Sequence, residues 1–309
     1  MKVEAPFYAV EIKNLSKRYR GLEKPVLDGI SLEVDQGQIF SLIGNNGEGK
    51  STLIKILLGV VRPTSGNACI FGNSVENYEA RKSVGYLPER INEVLPGFLT
   101  CRQFLYYYGR LNGIMPRELK CKTSNMLKLI GLKEKEHKKV FTLSKGQQQR
   151  LGIAHALLGD PDILFLDEPG DGLDIVGRKE LRSLLLELRE KGKTLFINSH
   201  ILSEIQLISD NIAILKGGKI LKQGHLKELL NTNGVYEIRI DDGVDHICKE
   251  LRISLMYDNE RRIITVDNVA QLNELIDKLR NWRVRIKEVV VVKKSLEDFV
   301  IETLGENGQ

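Results

Sequence analysis

Nine residues, Gly44-Asn45-Asn46-Gly47-Glu48-Gly49-Lys50-Ser51-Thr52, constrain this chain more than any others. They fit the P-loop pattern G-x-x-x-x-G-K-[ST], which carries meaning only between a strand and a helix. Both flanks supply that context. Gln38-Ile39-Phe40-Ser41-Leu42-Ile43 reads as a buried strand, and Leu53-Ile54-Lys55-Ile56-Leu57-Leu58 reads as a helix. The glycines let backbone N–H groups turn inward around a phosphate chain, and the helix N-terminus adds its dipole. Lys50 is then placed to reach β- and γ-phosphates, and the Ser51 hydroxyl to sit on a magnesium ion.

Three more strands end in polar residues at the edge where α/β sheets bind ligands. Val84-Gly85-Tyr86-Leu87 ends at Pro88-Glu89. Asp162-Ile163-Leu164-Phe165-Leu166-Asp167-Glu168-Pro169 has four apolar residues followed by two carboxylates. Two adjacent acids repel unless a cation or base chemistry uses them. Asp167 suits the magnesium partner of Ser51, and Glu168 suits a general base or a group orienting the attacking water. Thr194-Leu195-Phe196-Ile197-Asn198 delivers Ser199-His200, whose imidazole can hydrogen-bond a γ-phosphate or a water.

Upstream, Tyr8-Ala9-Val10-Glu11-Ile12 and Ile30-Ser31-Leu32-Glu33-Val34 alternate as antiparallel strands do. The basic loop between them, Ser16-Lys17-Arg18-Tyr19-Arg20, offers Tyr19 either for stacking on an adenine or for filling a strand end. Residues 98–158 read as mainly helical. Phe104, Tyr108 and Leu111 share one helical face, whereas Tyr106 and Tyr107 fall elsewhere, as surface residues or as a docking surface. Leu143-Ser144-Lys145-Gly146-Gln147 opens a helix with Ser144 as N-cap and Gln147 completing a capping box. The same start can serve as a second phosphate-binding helix end, with Ser144 and the Gly146 amide turned outward. Asp171-Gly172-Leu173-Asp174 is a turn, and a helix with an apolar face follows over Arg178–Lys191.

A hairpin across Gly217-Gly218 and a short helix over Leu226–Leu230 close the larger segment, and 231–234 reads as a linker. Beyond it, strands are expected over Val235–Ile240, Ile253–Tyr257, Arg262–Val266 and Val284–Val292. Helices are expected over Asp245–Leu251, Val269–Asn281 and Leu296–Leu304. The division is therefore residues 1–230 and a small α+β unit over 231–309, in which no chemistry is visible.

Charge separates the two parts. Gly234–Gln309 carries 12 Lys and Arg against 15 Asp and Glu, a balance of −3, so with a net charge of +5 the first 233 residues carry +8. A basic segment suits a nucleotide or anionic lipid. No Arg-rich stretch with interleaved aromatics points to nucleic acid. The four cysteines form no CxxC pair and read as reduced thiols rather than a zinc site. No run has the length and apolarity of a membrane span, and Met1–Val10 lacks the profile of a secretory leader. Work at a membrane is thus expected to go through a partner.

Taken together, the motifs resemble the nucleotide-binding subunit of an ABC transporter over roughly residues 6–230. LSKGQ at Leu143–Gln147 is similar to the family signature LSGGQ, with Lys145 in place of a glycine. Ile163–Glu168 matches the Walker B strand and its following glutamate. Leu173-Asp174 matches the D-loop, with Asp171 where serine is usual, and His200 matches the switch histidine. Tyr19 takes the adenine-stacking position. Glu89 sits where the family has a glutamine that senses magnesium and meets the membrane partner. GYLPE and the C-terminal SLEDFVIETLGE resemble the exporter branch, whose permease is a separate chain.

The resemblance implies an α/β P-loop core with a mixed sheet, an antiparallel β subdomain, a helical subdomain at about 90–158, and a small C-terminal α+β domain. It implies ATP held by Tyr19, residues 44–52, Glu89, Ser144, Gly146 and Gln147, and Mg2+ at Ser51, Asp167 and Glu89. Lys50, Glu168 and His200 would carry catalysis. The implied partners are a transmembrane permease and a second copy of the chain, at the cytoplasmic face of the membrane, with no nucleic acid. A soluble family member acting on ribosomes or DNA is the alternative, although those usually carry two cassettes or long insertions.

Overall fold

The structure, a computed structural model, describes residues 8–91, 95–230, 235–240, 256–258, 261–266, 269–292 and 295–305. The chain divides into two compact units, Met1–Leu226 with Thr303–Gln309, and Lys227–Glu302.

The strands described in the first unit are β1 (Val10–Lys17), β2 (Leu27–Val34), β3 (Ile39–Ile43), β4 (Ser65–Ile70), β5 (Asn73–Ser74), β6 (Val84–Leu87), β7 (Ile163–Asp167), β8 (Thr194–Asn198), β9 (Asn211–Lys216) and β10 (Lys219–His225). Its helices are α1 (Lys50–Leu57), α2 (Tyr78–Lys82), α3 (Cys101–Leu111), α4 (Pro116–Leu129), α5 (Lys145–Ala156), α6 (Ile175–Glu190) and α7 (Leu202–Ile208), and α8 (Leu226–Leu230) follows.

The central sheet has the order β10-β9-β3-β8-β7-β6, parallel except for β10, which pairs antiparallel with β9. Every residue of β3, β7 and β8 is buried. Such strands are covered on both faces, which explains their unbroken apolar runs. Alternate residues feed two cores. Ile39, Leu164, Leu166, Leu195 and Ile197 face the helical side with Phe104, Leu151 and Leu185. Phe40, Leu42, Ile163, Phe165 and Phe196 face α1 and a second sheet. On that side the Phe40, Phe196 and Phe165 rings follow one another at 5.0 and 5.3 Å. The second sheet, β2-β1-β4-β5, is antiparallel throughout. The expected α/β core with an antiparallel subdomain and helices α3, α4 and α5 is present.

Some local readings need correction. Ser16 and Lys17 belong to β1, not to a loop, because Ser16 pairs with Ser65 of β4 and Lys17 with Leu27 of β2. Ser65 and Gly66 open β4. Helix α6 starts at Ile175, one turn earlier than expected, because the Asp174 side chain caps it by accepting from the Gly177 N–H at 2.7 Å. Leu111 is 65% exposed, although Phe104 of the same helical face is buried. Leu111 is the last residue of α3, and the helix stops before that stripe can carry it into the core.

In the second unit, β11 (Val235–Ile240), β12 (Met256–Asp258), β13 (Arg261–Val266) and β14 (Ile286–Val292) form an antiparallel sheet ordered β12-β13-β11-β14. Helix α9 (Val269–Asn281) places Leu272, Leu275 and Leu279 against Ile238, Ile240 and Ile264. Helix α10 (Leu296–Gly305) ends the described chain. The expected linker at 231–234, the helix at 245–251 and the start of the strand at 253–257 lie outside the described residues. Among the described residues, no helix is long and apolar enough to cross a membrane.

Candidate active site

The parallel register assembles the site. Leu42 of β3 aligns with Asn198 of β8, Asn198 with Asp167 of β7, and Leu166 with Leu87 of β6. The P-loop, Glu89, the Asp167-Glu168 pair and His200 therefore leave the sheet at one edge.

The loop geometry explains its glycines. Gly49 caps α1 at φ 107°, and a Cβ there would lie 2.7 Å from both Leu27 Cδ2 and Val26 O. A Cβ on Gly44 would lie 2.6 Å from Leu215 O. Neither position admits another residue without movement. Lys50 is 5% exposed, and its Nζ donates to the carbonyls of Gly44 at 2.6 Å and Asn45 at 3.0 Å. Glu48 accepts from the Gly217 N–H in the β9–β10 hairpin, which ties the loop to the sheet.

The acidic pair is held from β8. Asn198 Nδ2 donates to Asp167 Oδ1 at 2.5 Å. Glu168 adopts φ 48°, a left-handed conformation rare for a residue with a side chain, and its N–H donates to Asn198 O at 2.8 Å. That turn brings Glu168 Oε2 to 2.8 Å from His200 Nδ1.

Burial dominates the electrostatics. It holds the Lys50 ammonium below the usual lysine range, while Glu168, Asp167, Glu48 and Glu89 pull in the opposite direction. It pushes the Asp167 carboxyl up, with Glu89 and Glu168 adding to the rise and the Asn198 hydrogen bond opposing it. The Tyr86 hydroxyl is pushed up to about 12, first by burial and then by Asp167 and Glu89.

A cleft of about 440 Å³ joins these groups. It is lined by Asn46, Gly47, Gly49, Lys50, Ser51, Thr52, Glu89, Asp167, Glu168 and His200 of the expected set. Gly44, Asn45 and Glu48 of that set do not line it. Tyr19 does not line the cleft; it sits beyond β1, 37% exposed, with Lys17 Nζ 5.0 Å from its ring centroid. Ser144, Gly146 and Gln147 do not line it either. They form the start of α5, where Gln147 N donates to Ser144 Oγ at 3.4 Å and Ser144 N to Gln147 Oε1 at 3.2 Å. Val26, Asp171 and Asn198 line the cleft without having been expected there. For Asn198, the available signal was its place at the end of an apolar strand, two residues before His200. Among the described residues no group of three or more His, Cys, Asp or Glu is placed to hold a metal by itself.

The comparisons match this geometry. The ABC transporter family profile matches residues 27–171. An ABC transporter ATP-binding protein of Synechocystis sp. is 38% identical over 97% of this chain and 85% of its own length. The chain belongs to the ABC transporter ATP-binding family. The bacitracin transport ATP-binding protein of Bacillus licheniformis is 35% identical to it, over 96% of this chain and 97% of its own. The ATP-binding cassette MJ0796, solved as a dimer in a post-hydrolysis state with ADP and Pi, aligns at a TM-score of 0.63 and 27% identity, over 70% of this chain and 98% of that one. This ABC cassette is an ATPase, and the hydrolysis it performs is coupled to transport.

Proposed function

We propose that this ABC cassette is the ATP-hydrolysing subunit of an exporter whose membrane-spanning permease is a separate chain. We further propose that two copies work head to tail at the cytoplasmic face. The observation that carries the dimer is the separation of the two phosphate-binding features. The cleft at Lys50 is not lined by Ser144, Gly146 or Gln147 of the same chain, so a second chain is the natural source of that helix end. ATP then lies between two positive helix ends and draws the copies together. The dimeric ADP-bound relative supports this arrangement.

In this reading the P-loop amides and Lys50 bind the triphosphate, and Tyr19 is the adenine platform. Ser51, Asp167 and Glu89 offer the hydroxyl and carboxylate oxygens that suit Mg2+. When bound, the ion neutralises charge developing on the phosphates. Glu168 accepts the proton of the attacking water, and His200 orients Glu168 and the γ-phosphate. The likeness to a bacitracin transport ATP-binding protein supports transport, and the exporter-like GYLPE and SLEDFVIETLGE stretches are what favour export. The helices of residues 90–158 are the route to the permease, and the unit after residue 230 is accessory.

The deciding experiment is Glu168→Gln with ATP, followed by size-exclusion chromatography with light scattering. The variant should bind ATP, fail to hydrolyse it and elute as a dimer. An ATP-loaded variant that stays monomeric would remove the head-to-tail reading.

A further inference from the structure

The cleft that receives a triphosphate carries four carboxylates, on Glu89, Asp167, Glu168 and Asp171. Three have roles above. Asp171 does not, and an unneutralised carboxylate on the rim repels phosphate.

Its partner lies 26 residues away in sequence. Lys145 Nζ is 3.3 Å from Asp171 Oδ2, with the two side chains 50% and 49% exposed. The same lysine lies against the turn beside Asp171. Gly172 sits at φ 63°, and a Cβ there would meet Lys145 Nζ at 2.1 Å and Cε at 2.8 Å. The neighbouring Gly146 faces Leu173 across a gap that a Cβ would close to 3.4 Å. The start of α5 and the turn after Glu168 are thus packed as one piece, and Lys145 and Asp171 are its charged rim. Both positions are where the chain departs from the signature and D-loop patterns. An ion pair this exposed adds little to folding stability, because solvent screens it. Its effect therefore falls on the charge that the cleft presents.

We propose that Lys145 is a positioning residue for the nucleotide, which neutralises Asp171 so that the acidic turn can lie beside the phosphates. This rests on ATP occupying the Lys50 cleft. Lys145 acts on the nucleotide through Asp171, so the two residues must be coupled.

The test is a double-mutant cycle on ATP turnover by the full chain, with melting temperature followed in parallel. Lys145→Ala should raise KM for ATP by about 3- to 10-fold, the size expected of one screened charge near a phosphate. The maximal rate should stay within about twofold. Adding Asp171→Asn to Lys145→Ala should return KM to within about twofold of the parent, and Lys145→Arg should leave KM at the parent value. High salt, about 0.5 M, should shrink the effect of Lys145→Ala. An unchanged KM in a Lys145→Ala protein that melts normally would overturn the proposal, as would a double variant no better than Lys145→Ala. Lys50→Ala is the control for the underlying reading. If turnover survives that change, the cleft assignment has failed rather than the ion pair.

Discussion

One oxygen of Glu168, Oε2, lies 2.8 Å from His200 Nδ1 and also accepts from the His200 backbone N–H at 3.3 Å. Both contacts come from one residue and hold this carboxylate oxygen beside the imidazole. The left-handed backbone at Glu168 costs about 1 kcal/mol or more and persists because the Asn198 carbonyl holds its N–H. His200→Ala should therefore lower kcat for ATP by about 100-fold, within the range of a lost acid–base or orienting group. ATP affinity, read by fluorescent-nucleotide titration, should change by less than about tenfold. A large loss of affinity with little loss of rate would assign His200 to binding instead.

Gly49 makes a second, sharper case. At φ 107° with two neighbours 2.7 Å from an added Cβ, Gly49→Ala must displace Leu27, the Val26 carbonyl or the loop itself. Backbone strain of this kind costs about 1–3 kcal/mol, readable by urea denaturation. Because the loop amides would move, ATP binding by calorimetry should disappear as well. Normal binding by the alanine variant would show that the loop tolerates a different path.

The sequence made these features legible to different depths. Strands β3, β7 and β8 were readable because burial on both faces demands an apolar run. The Ser144–Gln147 capping box was readable because its partners lie three residues apart. The Asp167–Asn198 hydrogen bond was not, since it depends on the register of β7 against β8, 31 residues apart. The Lys145–Asp171 pair was hidden for the same reason: each residue looked like an isolated departure. The course of β1 through Lys17 was hidden because Ser16 and Lys17 are polar, and it is pairing with Ser65 of β4 and Leu27 of β2 that keeps them in the sheet.

His155 on α5 predicts how the helical region responds to pH. Its ring lies 4.6 Å from Tyr108 and 5.6 Å from Phe104, and burial holds the imidazole below the usual histidine range. The folded chain thus resists a proton that the unfolded chain accepts near the ordinary value of 6.5. This contribution to stability is complete above that value and is lost as pH falls through the lowered folded value. The melting temperature should drop between about pH 7.5 and about pH 5.5, and the drop should be smaller in His155→Gln. Parallel curves for the two proteins would exclude His155 as the origin.

The aromatic surface over that histidine bears on coupling to the permease. Tyr106 and Tyr107 are 38% and 53% exposed, and Tyr107 packs edge-on against Tyr108 at 5.3 Å, which in turn contacts His155. Large exposed aromatics are enriched where partners dock. Neither tyrosine lines the nucleotide cleft. Replacing both with alanine should therefore leave the ATP turnover of the isolated chain within about twofold. The same double variant, assembled with the permease in vesicles, should lose most of its ATP-driven transport, since docking energy concentrates in a few buried aromatics. Transport that continues at the parental rate would move the docking surface away from α3. A matching fall in the isolated chain's turnover would instead mean that the tyrosines support the fold beneath them, through Tyr108 and His155.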